Sequence, residues 1–324
     1  MNDISKDFDK NGMISVSVLL IIIIFVIVLL HLIYRKESYH NRETDYVYEL
    51  SIISQFKNES TNFEEWLSHY TEQGVDHFYL IDDDSTDAYQ PFLIPYQRKN
   101  MVTLVKSLGR HSQTKNYNYF FKDMVRKQSK WVIVCDFDEF IYPHKGNTIK
   151  DYLNRVPTDV GEIMIPWKMF GSNSHIQQPR SIRVSLVRRS NYDEKKKIEG
   201  SHFNGNKHRT LSKYIVRTEA LDNLSIHYAK LYRPYKSITS DGNVCKTNGF
   251  TCVNEEILRN SHLHCNHYAI QSWDWFQRVK MTRGSATTKK NDKVRNESYF
   301  KRYDNNEKLD NELAERVQKT NNQG

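Results

Sequence analysis

The chain has 324 residues, a formal net charge of +8 and an isoelectric point near 9.1. This length allows one large domain or two small ones, and this charge favours anionic partners. A nucleic-acid partner is not expected, because the nearest basic run, Lys195–Lys197, is short and follows Asp193 and Glu194.

A continuous apolar segment near the N-terminus, Met13–Ile33, is long enough to cross a bilayer. It predicts one transmembrane helix acting as a signal anchor, between a polar tail at 1–12 and a charged stem at 34–45. A cleaved signal peptide is the alternative, but the run is too long for a signal core and no small-residue cleavage pattern follows. Three sequons fit a lumenal glycoprotein, at Asn58, Asn223 and Asn296.

The first half of the chain alternates apolar strands with amphipathic helices. Apolar spacing predicts two helices, over Phe63–Tyr70 and Tyr117–Val125. Strand–helix–strand alternation implies right-handed crossovers, so we predict an α/β fold with a mostly parallel sheet flanked by helices. The predicted strands are Val47–Phe56, His77–Ile81, Met101–Val105 and Trp131–Cys135.

The second half is less regular. Its pattern predicts a helix at Gln271–Arg283 and a polar tail at 296–324, so the globular domain is expected to span 46–295. Three further strands are predicted, at Glu162–Trp167, Ile182–Val187 and Lys213–Arg217.

The strand at Trp131–Cys135 leads directly into Asp136, Phe137, Asp138 and Glu139. On an extended chain, alternate residues face the same side, so the two aspartates are expected to point into one cavity. Two carboxylates at this spacing suit Mg²⁺ or Mn²⁺, which commonly bridges substrate phosphates. A bare D-x-D also arises by chance, but a buried strand before it favours a ligand site, because open α/β sheets bind ligands there.

Two other predicted strands end in polar residues. The second strand ends in LIDDDSTD at 80–87, where three consecutive aspartates require solvent, donors or a cation to offset their repulsion. Capping of the next helix is the alternative role for this turn. The first strand ends near Lys57 and Glu59, which could meet a phosphate and a hydroxyl, or could lie in a surface loop. Parallel strands would bring all three ends to one sheet edge.

Six segments follow one another in order along residues 46–285. They are KNE at 57–59, EEWLSHYTEQGVDHFYLIDDDSTD at 64–87, QTKNYNYFFKDMVRKQSKWVIVCDFDEFIYP at 113–143, IPWKMFGSNSH at 165–175, KYIVR at 213–217 with IHY at 226–228, and HYAIQSWDWFQRVKMTRG at 267–284. Together they resemble the nucleotide-diphosphosugar-binding GT-A glycosyltransferases, and most closely the family 2-like and family 92-like enzymes. One departure is Gln271-Ser272, where the family tends to carry Lys-Ser. It either leaves the diphosphate to be neutralised by Lys236, Arg278 or Lys280, or it weakens donor binding.

The resemblance implies a metal-dependent hexosyltransferase that moves a sugar from a UDP- or GDP-sugar to a hydroxyl of a glycan or glycoconjugate. It implies that Asp83 or Asp84 binds the base or ribose, and that Asp136 and Asp138 hold the ribose and the metal-bound diphosphate. Mn²⁺ or Mg²⁺ would be completed by His267, with His227 as second choice. A type II membrane protein facing the Golgi or another endomembrane lumen is the implied setting.

Enzymes of this group usually invert the anomeric centre, with one carboxylate as general base. Asp193, Glu199 and Asp241 are candidates for that base, since an acceptor hydroxyl is a poor nucleophile without one. His267 could instead satisfy a hydrogen bond in the core. A zinc site at HLHCNHY (262–268) with nearby cysteines is the weaker alternative, because the spacings form no pair of close clips.

Aromatic residues could form the acceptor side. Trp167 and Phe170 precede a Gly-Ser-Asn loop and could stack on a sugar, although aromatic residues more often belong to the core. A membrane-tethered protein that binds glycans without turnover is the alternative function. The intact DFDEF segment favours the enzyme, because a binding protein does not need metal ligands.

Overall fold

The computed structural model describes residues 18–30, 45–194, 198, 201–204, 207–246, 248–283 and 295–321. The chain divides into two compact units, Met1–Asp45 and Tyr46–Gly324. In the first unit, residues 18–30 are helical. None of the described helices is both long enough and apolar enough to cross a bilayer, so the span predicted at 13–33 is not confirmed. The tail at 1–12, the stem at 34–44 and both ends of that span lie outside the described residues.

Four parallel strands form the first half of the main sheet, as the sequence predicts. Their order across the sheet is β3-β2-β1-β4, and β1 pairs with both β2 and β4. The central strands β1 and β4 carry β-branched isoleucine and valine in buried positions, which suits a sheet that is covered on both faces. The bounds are β1 Tyr48–Phe56, β2 His77–Asp82, β3 Val102–Lys106 and β4 Ser129–Val134.

The second half departs from the prediction of a mostly parallel sheet. The long strand β9 lies antiparallel between β4 and β6, and β12 and β15 run parallel to β6. The sheet is therefore mixed, because β9 runs antiparallel to both of its neighbours. The remaining strands are β5 Glu139–Pro143, β6 Val160–Met169, β7 Arg188–Arg189, β8 Ser201–Asn204, β9 Lys207–Arg217, β10 Leu221–Leu224, β11 Ala229–Leu231, β12 Lys236–Thr239, β13 Val244–Cys245, β14 Phe250–Val253, β15 Leu263–His267 and β16 Lys308–Leu309.

Helices cover both faces of the sheet edge that carries the parallel strands. The first buries its apolar face, including Trp66 and Tyr70, as its spacing predicts. The helix predicted at Tyr117–Val125 contains a π-helical segment, Tyr117–Phe121, and that at Gln271–Arg283 contains another, Phe276–Lys280. The α-helices are α1 Ser60–Glu72, α2 Gln90–Gln97, α3 Gln113–Asn116, α4 Lys122–Gln128, α5 Ile149–Leu153, α6 Ile182–Ser185, α7 Glu255–Asn260, α8 Trp273–Trp275, α9 Glu297–Tyr303 and α10 Glu312–Asn321.

Two segments of the second half differ from the sequence-based expectation. Ile182–Ser185 is a helical turn rather than a strand, because the Ser181 side chain accepts a hydrogen bond from the Val184 amide. The predicted polar tail at 296–324 contributes α9, β16 and α10, which pack on the body of the domain through residues such as Phe300 and Leu313. Two of its acidic residues, Asp310 and Glu312, lie against buried cations of the domain, so part of the polar composition here reflects ion pairing.

Candidate active site

A cavity of about 350 Å³ lies where the carboxyl ends of β1 and β4 meet the turn after β2. Because these strands are parallel, their ends share one edge of the sheet, and this is the usual ligand position in open α/β sheets. The cavity is strongly polar, with four acidic and four basic side chains in its wall. These are Glu59, Asp83, Asp136 and Asp138, and Lys57, Lys280, Arg283 and Arg295.

The two aspartates of DFDEF both line this cavity, but the backbone differs from the prediction. Strand β4 ends at Val134, and Asp136–Asp138 lie in a turn rather than on an extended chain. Phe137 points into the core and stacks on Trp66, with ring centroids 4.2 Å apart. Because the Phe137 ring is buried in the core, the side chains of Asp136 and Asp138 on either side of it face the cavity.

Asp136 is held by two side chains that sequence reasoning did not identify. Its Oδ2 pairs with Lys213 Nζ at 2.8 Å, and its Oδ1 accepts a hydrogen bond from Gln113 Nε2 at 3.0 Å. Burial alone would raise the pKa of Asp136, but the Lys213 charge outweighs it, and the net pKa is lowered. This carboxylate is therefore ionised and fixed in position.

Asp138 is paired with a different lysine. Its Oδ2 lies 2.5 Å from Lys280 Nζ, and its Oδ1 lies 3.8 Å from His267 Nε2. Burial opposes ionisation, but Lys280 and then His267 outweigh it and hold the pKa of Asp138 well below its usual range. Of the three cations considered from the sequence, Lys280 is the one in the cavity wall. Lys236 pairs with Asp159 and Arg278 pairs with Asp274, both outside the cavity lining.

Glu139 is fully buried directly behind the two aspartates. Its Oε2 accepts the Asp136 amide at 2.7 Å and pairs with Lys213 Nζ at 3.2 Å. Its Oε1 has no hydrogen-bond partner among the described residues, and burial raises the pKa of Glu139 to about 8. The nearby negative charges of Asp136 and Asp138 act in the same direction. Lys213 is thus shared by two carboxylates that would otherwise repel each other.

A divalent cation would fit on one side of this arrangement. Asp138, Glu139 and His267 offer ligand atoms that all lie within 4.8 Å of one another. Two carboxylate groups and an imidazole suit Mn²⁺, and the unpartnered Glu139 Oε1 is a spare acceptor at this point. Asp136 is not in this group, and its two oxygens are bonded to Lys213 and Gln113.

The KNE segment lies in the cavity wall through two different contacts. Glu59 Oε1 pairs with Arg283 Nη2 at 2.6 Å, and Arg283 also donates to the Lys57 carbonyl oxygen. Burial raises the pKa of Glu59 against the lowering effect of Arg283. Arg283 therefore joins the segment after the last π-helical turn to the loop that follows β1.

The three consecutive aspartates at the end of β2, Asp82, Asp83 and Asp84, lie in three different environments. Asp82 is buried and accepts hydrogen bonds from the Ser85 amide and the Tyr89 hydroxyl, each at 2.7 Å. It therefore organises the turn. Asp83 lines the cavity, whereas Asp84 is exposed, has φ +62° and is not part of the cavity wall. Of the two predicted donor-binding aspartates, only Asp83 lies at the cavity.

An aromatic wall faces the carboxylates. Trp167 lies between two histidines, with its ring centroid 4.2 Å from that of His267 and 5.4 Å from that of His227. Trp167 Nε1 and His267 Nδ1 have no hydrogen-bond partners among the described residues. Burial lowers the pKa of His267 to about 4 and that of His227 to about 3, so both imidazoles are neutral near pH 7.

Several predicted site residues lie elsewhere. Phe170 is buried in the core against Tyr268, with ring centroids 4.9 Å apart, because its amide is bonded to the His267 carbonyl and turns the ring inward. Asp193 is exposed and accepts the Glu255 amide, and Asp241 organises the β12–β13 turn. Neither lines the cavity, so the structure gives no support for either as the base. Glu199 lies outside the described residues.

The zinc alternative has no support in the described part of the chain. The groups there that could hold a metal contain no cysteine, and all four cysteines are free. His264, in the HLHCNHY segment, instead bonds to Glu312 Oε2 at 2.9 Å, and Glu312 Oε1 bonds to His144 at 2.8 Å. These three side chains could hold a metal but include no cysteine, and buried Lys168, 3.7 Å from Glu312, makes them part of an ion-pair network.

The most important residues missed from the sequence are Lys213, Gln113 and Arg283. Lys213 and Gln113 lie in regular elements and Arg283 lies just after one, and the role of each depends on a partner far away in the chain. Lys213 could have been noticed from the sequence, because a lysine lies within a strand whose neighbouring residues are buried. A lysine is rarely buried without a partner, so this position indicates an ion pair. Arg295, Tyr299 and Tyr303 were assigned to a polar tail or its border, yet they line the cavity.

The cavity and its paired carboxylates agree with the comparison to known protein families. A family model described as glycosyltransferase family 92 matches residues 48–316, which is most of the chain. The chain belongs to glycosyltransferase family 92. A family 92 protein of Ricinus communis is 23% identical over 265 residues, covering 76% of this chain and 39% of the relative. This family 92 chain thus spans about two fifths of the length of that relative.

Solved structures give only weak likenesses to this family 92 chain. The S. aureus protein TarS (residues 1–349) is 18% identical, with a TM-score of 0.34, over 53% of this chain and 48% of TarS. Its complex with UDP-GlcNAc gives 16% identity and a TM-score of 0.33, over 53% and 46% of the two chains.

Proposed function

We propose that this protein transfers a sugar from a nucleotide-diphosphate donor to a hydroxyl group of a glycan or glycoconjugate. The observation that carries the proposal is the cavity at the ends of β1 and β4, where Asp136 and Asp138 are each paired with a buried lysine. A polar, charge-balanced cavity at this sheet edge suits a substrate that carries both hydroxyl groups and phosphates. Membership of family 92 supports the same reaction.

The departing diphosphate is the main electrostatic problem in this reaction. Breaking the sugar–phosphate bond leaves negative charge on the nucleoside diphosphate, and that charge must be stabilised where it forms. Lys280 and Arg283 supply fixed positive charge in the cavity wall, and Lys57 and Arg295 add to it. Burial lowers the pKa of Lys280, and the neighbouring Asp138 carboxylate, 2.5 Å away, opposes this shift.

A divalent cation, Mn²⁺ or Mg²⁺, is part of the proposal. Asp138, Glu139 and His267 would hold it, since their ligand atoms cluster and Glu139 Oε1 is otherwise unpartnered. When bound, such an ion neutralises diphosphate charge as a Lewis acid. Asp136, fixed by Lys213 and Gln113, would remain free of the ion and accept a donor hydroxyl group.

Finer parts of the proposal rest on the resemblance noted from the sequence. They are a UDP- or GDP-sugar donor, inversion of the anomeric centre, and attachment to an endomembrane through residues 13–33. Inversion requires a base beside the acceptor. The carboxylates of the described cavity wall, rather than Asp193 or Asp241, are the positions from which it would act.

The test is donor turnover by the purified full-length chain. UDP- and GDP-sugars are supplied with Mn²⁺ and a mixture of oligosaccharide acceptors, and released nucleoside diphosphate and glycan products are measured. We expect release with at least one donor and its loss in EDTA. Undiminished turnover in EDTA would reject the metal role. Glycan binding without any release of nucleoside diphosphate would favour the binding-protein alternative instead.

A further inference from the structure

An unpaired hydrogen-bond donor lies in the cavity wall at the end of β1. Gln55 lines the cavity and is 7% exposed, and its Nε2 has no hydrogen-bond partner among the described residues. A buried N–H group without a partner costs free energy unless a ligand or an ordered water accepts from it. This amide is therefore a candidate contact for a substrate.

The orientation of the Gln55 amide follows from its neighbours. The Leu108 backbone amide, which can only donate, bonds to Asn116 Oδ1 at 3.1 Å, so Asn116 Nδ2 is the donor side of that group. Asn116 Nδ2 lies 2.8 Å from Gln55 Oε1 and donates to it. Asn116 is completely buried, which holds this chain of hydrogen bonds in place. The Gln55 oxygen is thus used inside the protein, and its NH₂ group is left for a ligand.

An acceptor lies on the same face of the sheet as this donor. Ile53 of β1 and Ile81 of β2 pack in one core cluster, and Gln55 and Asp83 are each two residues further along the chain. Side chains alternate along paired strands, and the pairing continues to Asp83, whose amide donates to the Phe56 carbonyl oxygen at 2.8 Å. Gln55 and Asp83 both line the cavity, so they present one NH₂ donor and one carboxylate acceptor to it.

The order of the strands places this pair at one end of the charged site. The sheet order β2-β1-β4 puts Asp83, Gln55 and Asp136 in sequence along the edge, about 5 Å apart per strand. On the other side of β4, His267 ends β15, which pairs with β6, and lies near Asp138. A nucleoside diphosphate carries its base, ribose and diphosphate in this same order. With the diphosphate at Asp138 and a hydroxyl group at Asp136, the base is the part that reaches Gln55 and Asp83.

A donor beside an acceptor matches the edge of a lactam base. Uracil, thymine and guanine have a ring N–H group next to a carbonyl oxygen, whereas adenine and cytosine have a ring acceptor next to an amino group. We propose that Gln55 and Asp83 form a base subsite that selects a lactam base, with Gln55 Nε2 donating to its carbonyl oxygen and Asp83 accepting from its ring N–H. The inference rests on the proposed function only in calling this nucleotide a sugar donor.

The test is nucleotide binding by the full-length chain, measured by isothermal titration calorimetry with UDP, GDP, CDP and ADP in Mn²⁺. We expect UDP or GDP to bind at least about a hundredfold more tightly than CDP and ADP, because a mismatched base leaves both protein groups unpaired. The comparison of UDP with GDP separates a pyrimidine lactam from a purine lactam. Binding of CDP or ADP as tight as that of UDP and GDP, or binding of none, overturns the base subsite.

Substitution of Gln55 separates recognition of the base from a structural role. Gln55→Met keeps the length of the side chain and removes the donor. We expect it to weaken binding of the preferred nucleotide roughly tenfold and to leave CDP and ADP unchanged, so that the selectivity ratio falls. Gln97→Met, at the exposed end of α2, is the matched control and should bind as wild type. Equal weakening of all four nucleotides by Gln55→Met would indicate a structural role and overturn the assignment.

A second variant keeps the test decisive if Gln55→Met does not fold. Gln55→Glu retains an acceptor for Asn116 and replaces the NH₂ donor by an oxygen, so the same selectivity ratio should fall. An unchanged ratio in this variant overturns the base subsite.

The result of this test is independent of the turnover test. Selective binding of UDP or GDP without any transfer of sugar supports the base subsite and rejects the proposed function. Transfer of sugar by a protein that binds CDP or ADP equally well does the reverse.

Discussion

Glu162 and Asp138 are both buried carboxylates, but only Asp138 has a cation as its partner in the described part of the chain. Asp138 has a lysine at 2.5 Å, whereas Glu162 has no ion pair among the described residues. Its Oε1 accepts the Ala229 amide and its Oε2 accepts the Ser237 hydroxyl at 2.8 Å. These bonds do not offset the loss of hydration, and burial raises the pKa of Glu162 from 4.5 to about 8.

The raised pKa predicts a dependence of stability on pH. Between pH 4.5 and about 8, the unfolded chain loses the Glu162 proton while the folded chain keeps it, so the free energy of unfolding falls as pH rises. Glu162→Gln supplies a neutral group that can meet both partners. We expect it to stabilise the protein at pH 8 by on the order of 1–3 kcal/mol, with little effect at pH 5. Denaturant unfolding at both pH values measures this.

Glu64→Gln is the matched control for that substitution, because Glu64 is exposed on α1. It should leave the pH profile as in wild type. A Glu162→Gln variant that loses stability equally at pH 5 and pH 8 would show that the carboxylate is ionised in the folded protein.

A second prediction at the residue scale concerns Asp138→Asn. The amide keeps the size of the side chain but removes the charge that holds Lys280 and that would bind a cation. We expect sugar transfer to fall by roughly two orders of magnitude or more, without recovery in excess Mn²⁺. Circular dichroism should show the same fold. Asp241→Asn, in a turn outside the cavity lining, should retain full transfer. Full activity of Asp138→Asn with Mn²⁺ would remove Asp138 from the site.

At the scale of elements, β9 connects the parallel half of the sheet to the site. It pairs antiparallel with β4, so that Tyr214 lies opposite Val134, and the next position carries Lys213 to the turn after β4. Lys213 is fully buried between Asp136 and Glu139, and their charges raise its pKa well above the usual value despite burial. Strand β9 thereby supplies Lys213, the cation that pairs with both Asp136 and Glu139.

Lys213→Met should destabilise the domain. It leaves Asp136 and Glu139 close together without their cation, and loss of one partner of a buried ion pair costs about 3–5 kcal/mol. Urea unfolding at pH 7 measures the loss. Lys230→Met is the control, since Lys230 pairs with Asp222 on the surface and 72% of its side chain is exposed. It should leave the midpoint unchanged. A Lys213→Met variant as stable as wild type would show that Asp136 needs no cation at this position.

At the scale of the whole molecule, the C-terminal segment closes the domain through ion pairs. Asp310 lies 2.8 Å from Lys168 Nζ and 2.6 Å from Arg189 Nε, and both cations are almost completely buried. Burial would raise the pKa of Asp310, but Lys168 and Arg189 outweigh it and hold the pKa well below the usual range. The stability supplied by this contact is therefore present at neutral pH and lost only in acid.

Asp310→Asn tests this closure. We expect a loss of about 1–3 kcal/mol at pH 7, because the charge-assisted hydrogen bonds to Lys168 and Arg189 are weakened. Thermal unfolding provides the measurement, and Asp123→Asn on the exposed face of α4 provides the control. An unchanged midpoint for Asp310→Asn would mean that Glu255 and Glu312 alone balance these two cations.

Much of the architecture could be predicted from local pattern. Helix α1 and strands β1, β2 and β4 follow from apolar spacing, and parallel strand ends place Asp83, Asp136 and Asp138 at one cavity. The antiparallel β9 was predicted as a strand but not in its direction or position, because pairing depends on contacts distant in sequence. The helical turn at Ile182–Ser185 was missed because one serine cap outweighs a short apolar run.

The sequence by itself determined the α/β class and the position of the acidic residues, since these depend on local periodicity and on the ends of buried strands. The resemblance of its motifs indicated the family, which the family model confirms. Only the tertiary structure decided which charge meets which. Lys213 and Lys280 come from elements remote from Asp136 and Asp138, and Tyr303 comes from a segment whose composition is polar. The physical reason is that burial and ion pairing depend on distance in space, which a linear pattern does not record.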